Sequence, residues 1–130
     1  MLISIDFESD VPLYTQLKSQ IVQGIASGRL KPGEPLPSVR QMAVDLGINM
    51  HTVNKTYALL KNEGYTVIHK RRGVMIASLE QMKESGFGTR LEQSLRPLAA
   101  EAICKGVGRE NFTDLCTRVY RQMKGGKSNA

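Results

Sequence analysis

Three prolines in seven residues, Pro32, Pro35 and Pro37 of KPGEPLP, divide this chain more sharply than any other feature. Proline fixes its own φ, lacks an N–H and pushes the residue before it out of helical geometry, so no regular helix crosses the segment. The flanking stretches must fold as separate elements. Before it, PLYTQLKSQIVQGIASG carries Leu13, Leu17, Ile21 and Ile25 at intervals of four, the stripe of an amphipathic helix, with Pro12 suited to its first turn and Gly28 to its end. After it, Ser38 and Gln41 have the S-x-x-Q spacing of a capping box, in which each side chain satisfies the other's free backbone N–H. Val39, Met42, Ala43 and Leu46 form the inner face of the helix they open, and Gly47 stops it. Asn49 then caps a further helix whose inward stripe is Val53, Tyr57 and Leu60, closed by Gly64. Two short helices joined by about three residues with a glycine in the turn have the spacing of a helix-turn-helix.

YTVIH and GVMIA follow, two β-prone runs separated by Lys70, Arg71 and Arg72, which read as a hairpin with a basic tip. A basic hairpin directly after a helix-turn-helix is a winged helix. At the other end of the chain, Ile3, Ile5 and Phe7 alternate with Ser4 and Asp6, the period of a short strand or arm. From Leu79 the pattern is helical again. Gly86 and Gly88 are expected to break it once, Thr89 and Glu92 repeat the capping-box spacing, and Leu91, Leu95, Leu98 and Ala102 mark one face. Pro97 inside that face is expected to kink or divide the helix. Gly106 and Gly108 make a turn into a last stripe of Phe112, Leu115, Val119 and Met123, ended by Gly125 and Gly126. Residues 1–78 are thus expected to form a winged helix-turn-helix domain and 79–130 a helical hairpin tail, a mainly α fold with a small β-hairpin wing. Two short amphipathic helices have no interior of their own to hold a ligand. They need another surface, and a second copy of themselves is the simplest, which assigns Leu91, Leu95, Leu98, Phe112, Leu115, Val119 and Met123 to a homodimer interface.

The balance of 18 Lys and Arg against 12 Asp and Glu gives a net charge of +6, which favours an acidic partner. Its placement is more telling. Lys55, Lys61, Lys70, Arg71 and Arg72 are accompanied by a single acid, Glu63, whereas residues 1–34 hold Lys18, Arg29 and Lys31 against Asp6, Glu8, Asp10 and Glu34. The positive field belongs to the second helix of the motif and the hairpin tip, where a DNA duplex would lie. The competing reading of the tip is a solvated turn that discourages edge pairing. On the helix, Asn49, His51, Thr52, Asn54 and Lys55 occupy the first turn and a half. Asn can pair with adenine, Thr offers a hydroxyl and a methyl to thymine, and Lys bonds guanine or a phosphate. Capping alone also explains Asn49, and Met50 is read as a turn filler, with an apolar contact to thymine as the alternative. Ser38 and Arg40, at the start of the preceding helix, are assigned to DNA as well, with a surface salt bridge as the alternative for Arg40.

Other classes find little support. The chain has no GxxxxGK[ST], no HExxH and no nucleophile elbow, so an enzyme is not expected. His51 and the only other histidine, His69, lack accompanying ligands, so neither metal nor cofactor is expected. Cys104 and Cys116 have neither CxxC spacing nor clustered histidines and are read as small core residues in a reducing compartment, with a bridge or redox switch as the alternative. MLISIDFESD is acidic where a secretory signal would be basic and then apolar, and no run of about 18 apolar residues occurs, so a cytoplasmic protein with no membrane partner is expected.

PLY at the first helix, GRLKPGEPLPSVR, then LGINMHTV, LKNEG and a basic turn ending in glycine together resemble the winged-helix domain of the GntR family of bacterial transcription regulators. The resemblance covers about half the chain, and the short helical tail is similar to that of the YtrA-type subfamily, whose tails mediate dimerisation. Position by position it implies DNA contacts from Ser38, Arg40, Asn49, His51, Thr52 and Asn54 and from the wing around Arg72 and Gly73. It further implies a repressor whose regulated genes include a transporter operon. Many members carry arginines where this chain has Met50 and Asn54, so their operators do not transfer. The expected function is a homodimeric repressor that binds an inverted repeat in double-stranded DNA. The alternatives are a regulator with a small-molecule effector at the dimer interface and a winged-helix protein-interaction module.

Overall fold

Pro12 stands at the N-cap of the first helix, α1 (Leu13–Ala26), just ahead of the first turn, where Thr15 and Gln16 N–H groups reach back to its carbonyl. Its missing N–H is one the helix would leave unpaired in any case. The computed structural model describes residues 3–125. They fall into two compact units, the first ending at Lys83 and the second starting at Glu84. Beyond α1 the first unit contains α2 (Val39–Leu46), α3 (Met50–Asn62), a hairpin of β1 (Thr66–His69) and β2 (Gly73–Ile76), and the single turn α4 (Leu79–Met82). The second contains α5 (Phe87–Cys104) and α6 (Arg109–Met123). Among the described residues no helix is long and apolar enough to cross a membrane.

The core of the first unit is built from the expected inner faces. Leu17 and Ile21 of α1 meet Met42 and Ala43 of α2, Val53, Tyr57 and Leu60 of α3, and Ile76 of β2, while Val39 and Leu46 are partly buried against them. Leu30 and Leu36 from the proline-rich connection also join this core. That connection does more than interrupt helices. Leu36 N–H donates to the Val74 carbonyl, Gly33 N–H to the Ile76 carbonyl, and Ile76 N–H to the Glu34 carbonyl, so residues 33–36 line the outer edge of β2. Pro35 faces Met75 there, at a position where neither residue donates to the other. A residue without an N–H fits such a slot at no cost in hydrogen bonds. The hairpin is in register Thr66↔Ile76 through His69↔Gly73, and Met82 of α4 packs against the core.

The ends of the elements follow local chemistry, with several departures from expectation. Ser38 Oγ accepts the Gln41 N–H at 3.1 Å, but Gln41 does not return the bond; its amide donates to Asp45 Oδ1 at 2.7 Å, a charged acceptor one turn on. A complete box forms instead at α4, between Ser78 and Gln81. Gly47 closes α2 at φ +67°, a left-handed conformation that would strain a side chain. Ile3 to Phe7 is not a strand. Ser4 N–H donates to Gln20 Oε1 at 2.8 Å and Asp6 N–H to Gln16 Oε1 at 2.9 Å, while the two glutamine amides donate back to the Ser4 and Asp6 carbonyls. Residues four apart on a helix rise about 6 Å and residues two apart on extended chain about 6.6 Å, so the glutamines act as a surrogate neighbouring strand. Ile3 and Ile5 pack on the core and Phe7 is exposed.

In the second unit, the single expected break falls at Gly86, the N-cap of α5, and Gly88 lies within the helix. The Thr89–Glu92 box is therefore not made; Thr89 is already helical and its N–H donates to the Gly86 carbonyl. Pro97 lies inside α5 without dividing it. Its missing N–H leaves the carbonyl of Gln93, an exposed residue that water can serve. Gly106 turns the chain into α6, capped by Gly108 and followed by Gly125, while Gly126 lies outside the described residues. No residue of α5 or α6 is fully buried, and Cys104 and Cys116 are exposed free thiols, not core residues. A two-helix layer offers them no interior.

Two buried threonines provide a test of this packing. Thr56 Oγ1 donates to the Tyr14 carbonyl at 3.0 Å, whereas Thr66 Oγ1 has no partner among the described residues. Thr56→Val is expected to cost about 1 kcal/mol by removing that bond, the Tyr14 carbonyl keeping its helical partner within α1. Thr66→Val, of nearly equal shape, should leave stability unchanged or raise it. Urea unfolding midpoints of the two variants check the contrast.

Candidate nucleic-acid interface

α3 is built with two faces. Val53, Thr56, Tyr57 and Leu60 are buried, while Asn49, Met50, His51, Asn54 and Lys55 are exposed and Thr52 is half-buried. What holds the polar side outward is a pair of hydrogen bonds from buried side chains. Thr56 binds the Tyr14 carbonyl on α1, and Tyr57 Oη donates at 2.7 Å to the Pro37 carbonyl, immediately before the cap of α2. The helix is thereby tied both to α1 and to the start of α2. Burial pushes the Tyr57 phenol well above its ordinary value, so it remains a donor.

The candidate groups keep most of their capacity. Asn49 Oδ1 accepts the His51 N–H at 2.7 Å, the capping role, but its amide NH2 makes no bond among the described residues. Lys55 Nζ lies 3.9 Å from the centroid of the Tyr14 ring, a cation–π contact that orders an exposed ammonium without neutralising it. Ser38 spends a lone pair on its cap and keeps its hydroxyl proton, and Arg40 is exposed beside it. At the wing, Lys70, Arg71, Arg72 and Gly73 are all exposed. His69 Nδ1 accepts the backbone N–H of Arg71 at 3.2 Å and of Arg72 at 3.3 Å.

Charge pairing separates this surface from the rest. The ion pairs among the described residues are Lys18–Glu63, Lys83–Glu80, Arg90–Glu84 and Arg96–Glu92. None involves Arg40, Lys55, Lys61, Lys70, Arg71 or Arg72. Glu63, the single acid between Lys55 and Arg72, is held by Lys18 at 2.6 Å. The positive potential of α3 and the wing is therefore left uncancelled. Tyr14, Lys18, Thr56 and His69 had not been singled out from the sequence. Only the tertiary pairing of α1 with α3, and the shape of the turn, reveals them.

The tail forms a second surface. α5 and α6 make little direct contact, and the groove between them is lined by Leu91, Leu95, Leu98, Phe112, Leu115, Val119 and Met123 together. Six of these are 37 to 55% exposed and Phe112 is half-buried, so the apolar stripes line one groove without closing on each other.

A family model described as bacterial regulatory proteins, gntR family, matches residues 13–76, from the first residue of α1 to the last of β2. The HTH-type transcriptional repressor YtrA of Bacillus subtilis (strain 168) is 33% identical over 129 residues, 98% of this chain and 99% of that protein. That similarity runs through the tail. Among solved structures, YtrA from Sulfolobus acidocaldarius, a GntR-family transcription factor, is 41% identical, with a TM-score of 0.62 over 76% of this chain and 99% of that one. The fold, at 24% identity, also matches a transcriptional antiterminator from Listeria monocytogenes EGD-e, with a TM-score of 0.88 over 98% of this chain and 96% of that one.

Tyr57 gives this interface a pH signature. Its folded pKa lies above the unfolded value of about 10, so its contribution is fully present below that pH and is lost as pH rises from there toward the folded value. Tyr57→Phe should lower stability by about 1 kcal/mol at neutral pH. The variant should also lose less stability than the parent between about pH 10 and 11. Thermal melts of both proteins across that range check the sign.

Proposed function

The chain belongs to the gntR family of bacterial regulatory proteins and is a DNA-binding transcription regulator, and from that premise we propose that it acts as a cytoplasmic homodimeric repressor. One observation carries the reading: a polar, solvent-facing first turn and a half of α3, set beside cations of which none is paired with a carboxylate among the described residues. The N-terminal turns of α3 enter the major groove, where Asn54 and Thr52 meet base edges and the free Asn49 amide, His51 and Lys55 meet bases or phosphates. Ser38 and Arg40 hold the phosphate backbone from the start of α2, and Arg71, Arg72 and Gly73 follow it from the wing.

The apolar groove of the tail supports the dimer. Two helices with a shared unburied face gain stability by burying it in a two-fold copy, at roughly 25 cal/mol per Å² of apolar surface removed from water. Two-fold symmetry in the protein selects an inverted repeat in the DNA, with one α3 per half-site. Occupancy of such a site occludes a promoter. On its resemblance to short-tailed relatives, the regulated genes include a transporter operon.

Binding to genomic DNA fragments at two salt concentrations tests the whole reading. A protected pseudo-palindromic site, with affinity falling steeply as salt rises, is expected; no protected site at low salt would remove the repressor role. Thr52→Ala and Asn54→Ala should each cost about 1–3 kcal/mol of discrimination between the protected site and its base-substituted versions. Arg72→Gln should weaken binding to all sequences alike and reduce the salt slope by about 1. Removal of residues 109–130 should leave a monomer in sedimentation that binds weakly; a truncated protein that still sediments as a dimer would place the interface elsewhere.

A further inference from the structure

The wing tip poses a problem that its charges cannot solve. Lys70, Arg71 and Arg72 are three adjacent exposed cations with no carboxylate paired to any of them among the described residues, and their mutual repulsion favours a loose turn. The register puts His69 opposite Gly73, so only these three residues form the loop, and Gly73 closes it at φ +75°. A three-residue hairpin of this kind leaves backbone N–H groups inside the turn that need an acceptor. His69 supplies it. Its Nδ1 accepts from Arg71 N–H at 3.2 Å and from Arg72 N–H at 3.3 Å. To accept, Nδ1 presents its lone pair, so the clamp uses the ring with its hydrogen on Nε2, and that one lone pair is shared between two amides.

We propose that His69 is a positioning residue for DNA binding: its imidazole clamps the backbone of Arg71 and Arg72 and so fixes where the two guanidinium groups leave the wing. This rests on the reading above that the wing touches DNA. The physical gain is pre-organisation. A guanidinium on a fixed backbone loses less freedom on reaching a phosphate than one on a mobile loop, so the clamp strengthens binding without adding charge. The signature is specific: loss of the clamp lowers affinity and leaves the salt dependence unchanged, because the same cations still displace the same counterions. A short side-chain carbonyl can stand in for Nδ1, since Asn bonds backbone N–H groups two residues on in ordinary turns.

The test uses the full-length protein, its His69→Ala, His69→Asn and Arg72→Gln variants, and a duplex selected from a random pool by the unmodified protein. Amide hydrogen exchange at Arg71 and Arg72 is read by NMR, and affinity by fluorescence anisotropy at several salt concentrations. His69→Ala is expected to speed exchange at both amides and weaken binding about five- to tenfold with an unaltered salt slope. His69→Asn should restore protection and most of the affinity. Unchanged exchange in His69→Ala overturns the clamp. Faster exchange with full affinity, while Arg72→Gln still weakens binding, overturns the positioning role and leaves the wing contact standing. Full affinity in both His69→Ala and Arg72→Gln overturns the wing contact itself. Restored protection without restored affinity in His69→Asn also overturns positioning, since the imidazole then touches DNA directly.

Discussion

The hydrogen bonds that Thr56 and Tyr57 send from the middle of α3 are the constraint on which the rest of the structure turns. A helix seated by apolar contacts alone can rotate by part of a turn at modest cost, because dispersion and burial are not directional. A buried hydroxyl that must reach one carbonyl cannot. Thr56 fixes α3 against Tyr14 of α1, and Tyr57 fixes it against Pro37 at the entry to α2. Between them they set the azimuth of the helix, and the polar residues at its start are exposed as a geometric consequence. Tyr14 contributes twice, accepting from Thr56 through its carbonyl and placing its ring under Lys55.

The proline-rich connection has a similar double use. α1 has already ended at Ser27 and Gly28, and the prolines keep the chain out of helix until Ser38. That extended backbone then pairs with β2 and delivers Leu30 and Leu36 to the core. β2 is therefore bonded on both edges at the base of the wing, by β1 on one side and residues 33–36 on the other, although the tip extends beyond them. Anchoring at the base cannot order the tip, and this is the gap that His69 fills. Electrostatics are distributed with the same economy. Lys18 of α1, in a region otherwise rich in acids, holds the single carboxylate among the cations of α3 and the wing.

What could be read in the sequence was whatever depended on one element at a time. The apolar stripes of α1, α2, α3, α5 and α6, the glycine stop at Gly47, the cap at Asn49 and the hairpin all follow from spacing, because period and turn chemistry are local properties. The failures come from competition between local options. Gln41 had two partners in reach and bonded Asp45, while an equivalent Ser-x-x-Gln at residues 78–81, in a helix that ends before its position four residues on, closed its box. Thr89 had the right spacing for a cap, but Gly86 started the helix a turn earlier. The alternating Ile3 and Ile5 fitted a strand, yet the hydrogen-bonding partner beside them was a helix with glutamines four apart. For the interface, the exposed polar set was legible because it is contiguous in α3 and the wing. Tyr14, Lys18 and His69 were not, since each acts through a tertiary neighbour or through the shape of a turn.

The two units also explain each other's composition. The first gathers ten apolar residues into one buried cluster, and although Phe7, Val44, Ile68 and Leu79 are exposed, nothing in that core requires a second chain. The second does not, and its leucines stay near half exposed along a shared groove. A domain that folds alone but makes only one recognition helix has one half-site of contact energy, and that is too little to select a site against a genome of competitors. Joining two such domains makes the second half-site contact intramolecular, which multiplies affinity without adding a contact to either domain. On the proposed dimer, the unfinished tail is what turns a weak, self-sufficient DNA-binding unit into a selective one. The exposure of its apolar stripe in a single copy is then the cost of keeping that coupling dependent on assembly.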